Sequence, residues 1–402
     1  MGNAYLIIID GLGVGAQEDA HLYGDEAMNT LGHVSEQTKC KLPNLEKMGI
    51  GNIIPLASVA KVENPSASFG KMREVSAGKD STTGHWEIAG IHLEKPFPTY
   101  PKGFPQKVID KFCEGIGIDK VLCNLPYSGT DVIRDFGEEH LKTGYPIVYT
   151  SADSVFQVAC HEDVASVEML YEWCDFARRK ICVDEHEVGR VIARPFTGTY
   201  PFDRISEQRK DFSAIPPSNN ILEVLLENGI KTYSIGKVAD LFAGNGFSQY
   251  RKTKNNAEGI SQLLSAMSAV EESFVFINLI DTDQLYGHRL DPEGYAEGLE
   301  EFDGAIPAIL SKLKEDDLLI ITGDHGNDPC SNSTDHSREF VPLLVYSKEL
   351  PLLGRDCSEG MPLARGGSTS NLGTRETFAD IAVSIADFFK VNNSFPGSSF
   401  LK

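Results

Sequence analysis

Leu318-Leu319-Ile320-Ile321-Thr322-Gly323-Asp324-His325-Gly326-Asn327-Asp328 is the stretch on which the reading of this chain turns. Residues 318–322 are apolar or β-branched throughout, the pattern of a strand covered on both faces. Gly323 then releases Asp324 and His325 together. Neighbouring side chains on a strand point to opposite faces, so both reach one site only where the strand ends and the backbone turns, which Gly326 permits. Ligands of open α/β sheets bind at that end of the strands. Alone, an Asp-His-Gly is as readily a plain turn as a site.

The same grammar recurs on either side. Residues 274–280 form a second apolar run that ends in Asp281-Thr282-Asp283-Gln284-Leu285-Tyr286-Gly287-His288, and Asp335-His336 follows Asp324-His325 across the polar loop Ser331-Asn332-Ser333. Three of the ten histidines therefore stand near aspartates in matching contexts. A lone histidine is more often a satisfied core or surface residue, but three such clusters argue for metal. At the start of the chain, residues 5–9 end in Asp10-Gly11-Leu12-Gly13-Val14-Gly15. A dinucleotide loop is excluded there, because a carboxylate at the strand tip repels pyrophosphate and the third glycine falls one residue early. Asp10, Asp283, His288, Asp324, His325 and His336 make six candidate ligands, more than one ion takes while keeping a position open, so two ions are expected. Mixed Asp and His donors suit Mn²⁺, Zn²⁺, Fe or Mg²⁺ alike.

Strand-like runs at 5–9, 232–235, 274–280, 318–322 and 343–346 alternate with amphipathic stretches, among them 220–228 and the stripes Ile260, Leu263, Leu264, Met267 and Phe302, Ile306, Ile309, Leu310, Leu313. A last one carries Phe378, Ile381, Ile385 and Phe388. This predicts an α/β core with a mostly parallel sheet flanked by helices. Between Pro96 and the Pro216-Pro217 pair the texture changes, with prolines at 98, 101 and 105 and strand-like runs at 147–150 and 190–193. Proline stiffens linkers and cannot continue a ladder, so residues 97–216 are expected as an inserted, smaller α/β cap between core parts 1–96 and 217–402.

The 402 residues suit about two domains. With 41% hydrophobic residues and no long apolar run, a soluble protein without a membrane span is expected. The first fifteen residues lack an export signal, so a cytoplasmic location is expected. Eight dispersed cysteines without a CxxC pair read as free thiols. A net charge of −21 with no compensating basic cluster would repel a polyphosphate backbone, so no nucleic-acid partner is expected. A small phosphorylated substrate remains, because bound cations can supply the missing positive charge.

Ser76-Ala77-Gly78-Lys79-Asp80-Ser81-Thr82-Thr83-Gly84-His85-Trp86-Glu87 places three hydroxyls in a Gly-flanked stretch that leads into a helix. Backbone N–H groups there can cradle a phosphate, and a metal-activated hydroxyl of Ser81, Thr82 or Thr83 can carry a phosphoryl group. The alternative is that these hydroxyls simply cap the helix.

Taken with Tyr149-Thr150-Ser151-Ala152-Asp153-Ser154, Gly189-Arg190-Val191-Ile192-Ala193-Arg194-Pro195-Phe196, Gly287-His288-Arg289 and Thr334-Asp335-His336-Ser337-Arg338-Glu339, these motifs resemble the phosphopentomutase family of the alkaline phosphatase superfamily. The resemblance runs through both core parts and the cap. It implies an alkaline-phosphatase-like core and an isomerase that interconverts ribose 1-phosphate, and its 2-deoxy analogue, with the 5-phosphate. It further implies two Mn²⁺ ions, one on Asp283, His288 and His336, the other on Asp10, Asp324 and His325. The phosphoryl carrier, right after Gly-Lys-Asp, would be Ser81, where the family usually has Thr; Thr82 is the second candidate. Ser151, Asp153, Arg190, Arg209 and Lys237 match the substrate region, and a sugar bisphosphate would serve as activator. The rival is a cofactor-independent phosphoglycerate mutase or another metal-dependent phosphatase of the superfamily, whose Asn-Ser-Glu-Val-Gly-His type stretch is absent here. A non-catalytic metal-stabilised binding protein would need no hydroxyl beside the metals.

Overall fold

Six successive buried residues make Ala4–Ile9 a central strand, because only a position covered on both faces rewards Ala-Tyr-Leu-Ile-Ile-Ile without alternation. A computed structural model describes residues 2–151, 153–349 and 369–401. The chain divides into two compact units, residues 1–96 with 216–402, and residues 97–215.

The larger unit is built on an eight-stranded sheet in the order Gln249–Arg251, Lys231–Ile235, Ser273–Leu279, Ala4–Ile9, Leu318–Thr322, Val341–Tyr346, Ser68–Met72, Asn371–Arg375. Pairing is parallel except around Val341–Tyr346, which runs antiparallel to both neighbours. The expected mostly parallel sheet flanked by helices is thus the observed one. Three strands carry no strong apolar run and were not expected: Ser68–Met72 alternates in burial, Gln249–Arg251 is exposed throughout at one edge, and Asn371–Arg375 closes the other. Helices Thr30–Thr38, Asn256–Met267 and Pro292–Lys312 contribute to one apolar cluster with the central strands, through residues such as Leu31, Leu263 and Phe302. Helices Ser81–Ile88, Ile221–Glu227 and Asp380–Phe388 make a second packed group. At roughly 1.5–3 kcal/mol for each fully buried Leu, Ile or Phe side chain, these layers dominate what holds the strands in place.

Register decides where the site lies. Ile9 pairs with Leu279 and Ile8 with Thr322, so the three central strands finish level with one another. Asp10, the segment that holds Asp283, and Asp324 therefore emerge at one end of the sheet.

The smaller unit has a six-stranded sheet: Leu122–Pro126, Ile147–Thr150, Val155–His161, Arg190–Thr197 and Asp203–Arg204 in order, with Lys210–Ser213 pairing on Arg190–Thr197. Helices Gln106–Ile116 and Val167–Phe176 share an apolar cluster around Phe112 and Phe156. Gly129–Thr143 joins a second cluster through Val132 and Ile133, beside Tyr149 and Phe196.

Among the described residues no helix is long and apolar enough to cross a membrane. Cys40, Cys113, Cys123, Cys160, Cys174, Cys182 and Cys330 are free thiols; Cys357 lies outside the described residues.

Candidate active site

Five of the six candidate ligands are buried, and all six converge at the carboxyl end of the central strands. Asp10, Asp324 and His325 present oxygen and nitrogen atoms within 4.8 Å of one another, and so do Asp283, His325 and His336. His288 Nε2 stands 3.4 Å from Asp283 Oδ2, and His336 Nε2 stands 3.4 Å from Asp283 Oδ1. The His336 ring lies between the other two, with centroids 4.7 Å from His288 and 4.2 Å from His325.

The orientation of the imidazoles bears on whether these residues fit a metal. His325 Nδ1–H donates to the Gly326 carbonyl at 3.0 Å, and His288 Nδ1–H donates to the Thr334 carbonyl at 2.7 Å. Each ring therefore turns the lone pair of Nε2 towards carboxylates: His325 towards Asp10 Oδ1 and Asp324 Oδ2, both at 3.4 Å, and His288 towards Asp283. Lone pairs facing carboxylates repel unless a cation or a proton lies between, and an Nδ1–H fixed on a carbonyl is how metal-binding histidines are usually oriented. Asp10 Oδ1 and Oδ2 and Asp324 Oδ2 are buried, faced by Lys237 and by the imidazoles of His85 and His325. Such oxygens are costly unless charge is supplied. The donor set fits divalent cations.

In the protein alone, protons and one ammonium supply that charge. Burial opposes the imidazolium form of His325, but Asp324 and Asp10 outweigh it and push its pKa up to about 10. Burial likewise opposes charge on Asp283 and Asp324, and the neighbouring imidazoles hold both well below the usual carboxylate range. Lys237 Nζ stands 2.5 Å from Asp10 Oδ2 as an ion pair. Burial lowers this ammonium's pKa, yet Asp10, Asp283 and Asp324 raise it overall.

Ser81 opens the Ser81–Ile88 helix, and its Oγ lies 3.1 Å from His325 Nε2 and 3.1 Å from Lys237 Nζ. Of the three hydroxyls, it is the one with contacts to the cluster. The helix is capped by Asp80, which accepts from the amides of Thr82 and Thr83 and from Thr83 Oγ1. This corrects two expectations: the hydroxyls are not the cap, and those two amides are already occupied rather than free to cradle phosphate. A carboxylate displaces them because it accepts two amides at once, next to the positive end of the helix. Gly326 also has a different part from the one expected. Its φ is not positive; it bridges to Ser337, and a Cβ there would stand 2.4 Å from Glu339 Oε1. Glycine is needed for close approach, not for the turn.

Three residues inside the quoted motifs support the cluster without having been singled out. Asn327 Nδ2 donates to Asp283 Oδ1 at 2.7 Å. His85, fully buried, has Nδ1 2.8 Å from the Ser81 carbonyl and 3.1 Å from Asp324 Oδ2, while its Nε2 faces Asn278 Nδ2 at 2.9 Å. Arg338, buried, donates to Glu74, Asp19 and the carbonyls of Ser76 and Gly78, tying the approach to Ser81 to the strand that follows His336. Adjacency to His325, Ser81 and His336 in the sequence was the available signal.

In the smaller unit Arg190 reaches Asp153 at 3.4 Å and Asp211 at 3.6 Å, and Arg209 forms a fork on Asp211 with both bonds at 2.8 Å. Asp211, not expected from sequence, thus joins two of the predicted substrate residues. Burial opposes its charge, but the arginines hold it below the usual carboxylate range. Ser151 stands half-buried just after Ile147–Thr150.

A profile of the Metalloenzyme superfamily matches residues 2–393. Phosphopentomutases of Caldanaerobacter subterraneus subsp. tengcongensis, Acetivibrio thermocellus and Dictyoglomus thermophilum are 52%, 49% and 50% identical to this chain, covering 99%, 100% and 100% of it and 96%, 99% and 98% of their own lengths. A solved phosphoglycerate mutase of Leishmania mexicana has a TM-score of 0.48 and 11% identity, covering 100% of this chain and 98% of that one. Full-length identity near one half decides the family: the chain belongs to the phosphopentomutases, isomerases within the Metalloenzyme superfamily.

Proposed function

We propose that the chain interconverts ribose 1-phosphate, and 2-deoxyribose 1-phosphate, with the corresponding 5-phosphates, through a phosphorylated Ser81 and two Mn²⁺ ions. The observation that carries this reading is the Ser81 hydroxyl, 3.1 Å from both His325 Nε2 and Lys237 Nζ, beside the buried carboxylates of Asp10 and Asp324. Asp10, Asp324 and His325 would hold one ion, and Asp283, His288 and His336 the other. Divalent cations there neutralise charge on a transferring phosphoryl group and favour the ionised hydroxyl.

The residues of the chain divide the remaining work. The bond from phosphorus to Ser81 Oγ breaks as the sugar oxygen bonds to phosphorus, giving a transient pentose bisphosphate. Transfer of the other phosphate back to Ser81 restores the enzyme. Lys237 steadies the Ser81 oxygen whenever the phosphoryl group is on the sugar. His85 holds the Ser81 carbonyl and so the hydroxyl's position. Arg190 and Arg209, with Ser151 and Asp153, bind the substrate, since a guanidinium fork suits a phosphate. A sugar bisphosphate would load Ser81 at the start. A cytoplasmic location and a link between nucleoside catabolism and the pentose phosphate pathway belong to the same proposal. The test is conversion of ribose 1-phosphate to ribose 5-phosphate with added Mn²⁺: turnover is expected, and no turnover on any pentose phosphate would overturn the reading.

A further inference from the structure

Glu339 is fully buried, and among the described residues no cation pairs with it. A buried carboxylate without a counter-ion is costly unless its lone pairs meet donors. Four donors converge on this one. Oε2 accepts from the amides of Gly15 at 2.9 Å and Thr30 at 3.0 Å, and Oε1 accepts from the hydroxyls of Thr30 at 2.6 Å and Ser337 at 2.8 Å. Burial pushes the carboxyl pKa up, and these same donors pull it back. Two glycines make room for the group: a Cβ at Gly13 would overlap Oε2, and one at Gly326 would overlap Oε1.

The donors and the glycines sit on the segments that carry the candidate metal ligands. Gly13 and Gly15 belong to the loop after Asp10, Gly326 follows His325, and Ser337 follows His336. Ser337 and Gly326 also exchange both backbone hydrogen bonds, at 2.8 and 3.1 Å. The remaining connection runs through Thr30. Its Oγ1 donates to Glu339 and accepts the Asn327 amide at 3.1 Å, and Asn327 Nδ2 donates to Asp283 Oδ1 at 2.7 Å. Thr30, Asn327, Ser337 and Glu339 are all buried. Both sets of candidate ligands are therefore tied to a single carboxylate.

A buried polar network with every member satisfied is rigid and specifies one arrangement. Two ions that clamp one phosphoryl group act together only while the side chains that hold them keep a fixed spacing. Resting on the two-ion reading above, we propose that Glu339 is a positioning residue that sets the separation of the two cation sites, with Thr30 and Asn327 as its link to Asp283. Both of its oxygens are filled and it belongs to neither ligand cluster, so it acts through its neighbours.

The test is low-temperature electron paramagnetic resonance of the full-length protein saturated with Mn²⁺, with Mn²⁺ affinity titrated by calorimetry and the stability of each variant measured without metal. Magnetic coupling between two Mn²⁺ ions falls steeply with their separation, so the spectrum reads the spacing. Wild type should give a coupled spectrum. Thr30→Val keeps the outline of the side chain and removes the hydroxyl that joins Glu339 to Asn327. It should weaken the binding of one Mn²⁺ about tenfold or more and alter the coupling, as loss of a ligand-orienting group does. Glu339→Ala should do both more strongly. Glu339→Gln should recover the coupled spectrum, because its oxygen still takes the amides of Gly15 and Thr30 while its NH₂ donates to the two hydroxyls, which can accept. An unchanged spectrum and affinity in Thr30→Val overturn the proposal, however far its stability falls, and so does a Glu339→Gln as damaged as Glu339→Ala. Should Glu339→Ala fail to fold, Thr30→Val decides alone. No coupled pair in wild type would sink the two-ion reading and this proposal with it, whereas a wild-type pair that Thr30→Val leaves unaltered sinks this proposal alone.

Discussion

Two regions of this protein are opposites in charge. At the carboxyl end of the large sheet, the buried carboxylates of Asp10, Asp283 and Asp324 crowd together. On the sheet of the smaller unit, Arg194 and Arg204 gather over Gly129 beside the buried Tyr149 hydroxyl, with Asp211 as a counter-charge to Arg194. Crowded buried carboxylates favour cations in the first region, and clustered arginines favour an anionic group in the second. The first region is held rigidly by the strands and by Nδ1–H bonds to carbonyls. The second is assembled from Tyr149, Arg194 and Arg204 on three strands, and from a helix start.

The contrast can be broken most severely at Asp10. Asp10→Ala, or chelation of divalent cations, should lower turnover by roughly 10³-fold or more, because several kcal/mol of charge stabilisation is lost. Steady-state assay with metal content measured in parallel checks this, and a variant that keeps its metal and its rate would contradict the ligand assignment. Next in size is Asn327→Ala. Removing the donor to Asp283 Oδ1 should weaken metal affinity or activity by roughly 10–100-fold, the range for groups that orient ligands. The loss should shrink when excess Mn²⁺ is added. Smallest is Asp80→Ala, which uncaps the Ser81–Ile88 helix and should cost about 1 kcal/mol of stability. Chemical denaturation reads that cost; a variant as stable as wild type would mean that the cap bonds contribute nothing net.

Much of the first region was legible in the sequence because its residues follow apolar strands. Asp10 after residues 5–9 and Asp324 after Leu318–Thr322 announce a shared sheet end, and parallel pairing brings such ends together. The larger sheet was legible only where strands are buried on both faces. Ser68–Met72, Gln249–Arg251 and Asn371–Arg375 escaped, since half-covered or exposed strands need no continuous apolar run. His85 and Asn278 were out of reach for another reason. Their contact joins a helix to the middle of a strand 193 residues away, and no local pattern encodes such a pairing. The second region was illegible for the same reason: Tyr149, Arg194, Arg204 and Gly129 come from different elements and meet only once the smaller sheet has formed. Residue type alone could not separate Asp80 from the hydroxyls beside it as the cap, because all of them are good capping residues.

The central claim is that Ser81, placed between Lys237 and His325, carries the phosphoryl group. The most direct measurement is phosphopeptide mapping by mass spectrometry of the protein after exposure to a sugar bisphosphate and Mn²⁺, alongside Ser81→Ala. Phosphate on Ser81 is expected in wild type, and neither phosphate nor mutase activity in Ser81→Ala. Phosphate on Thr82, or full activity in Ser81→Ala, would contradict it.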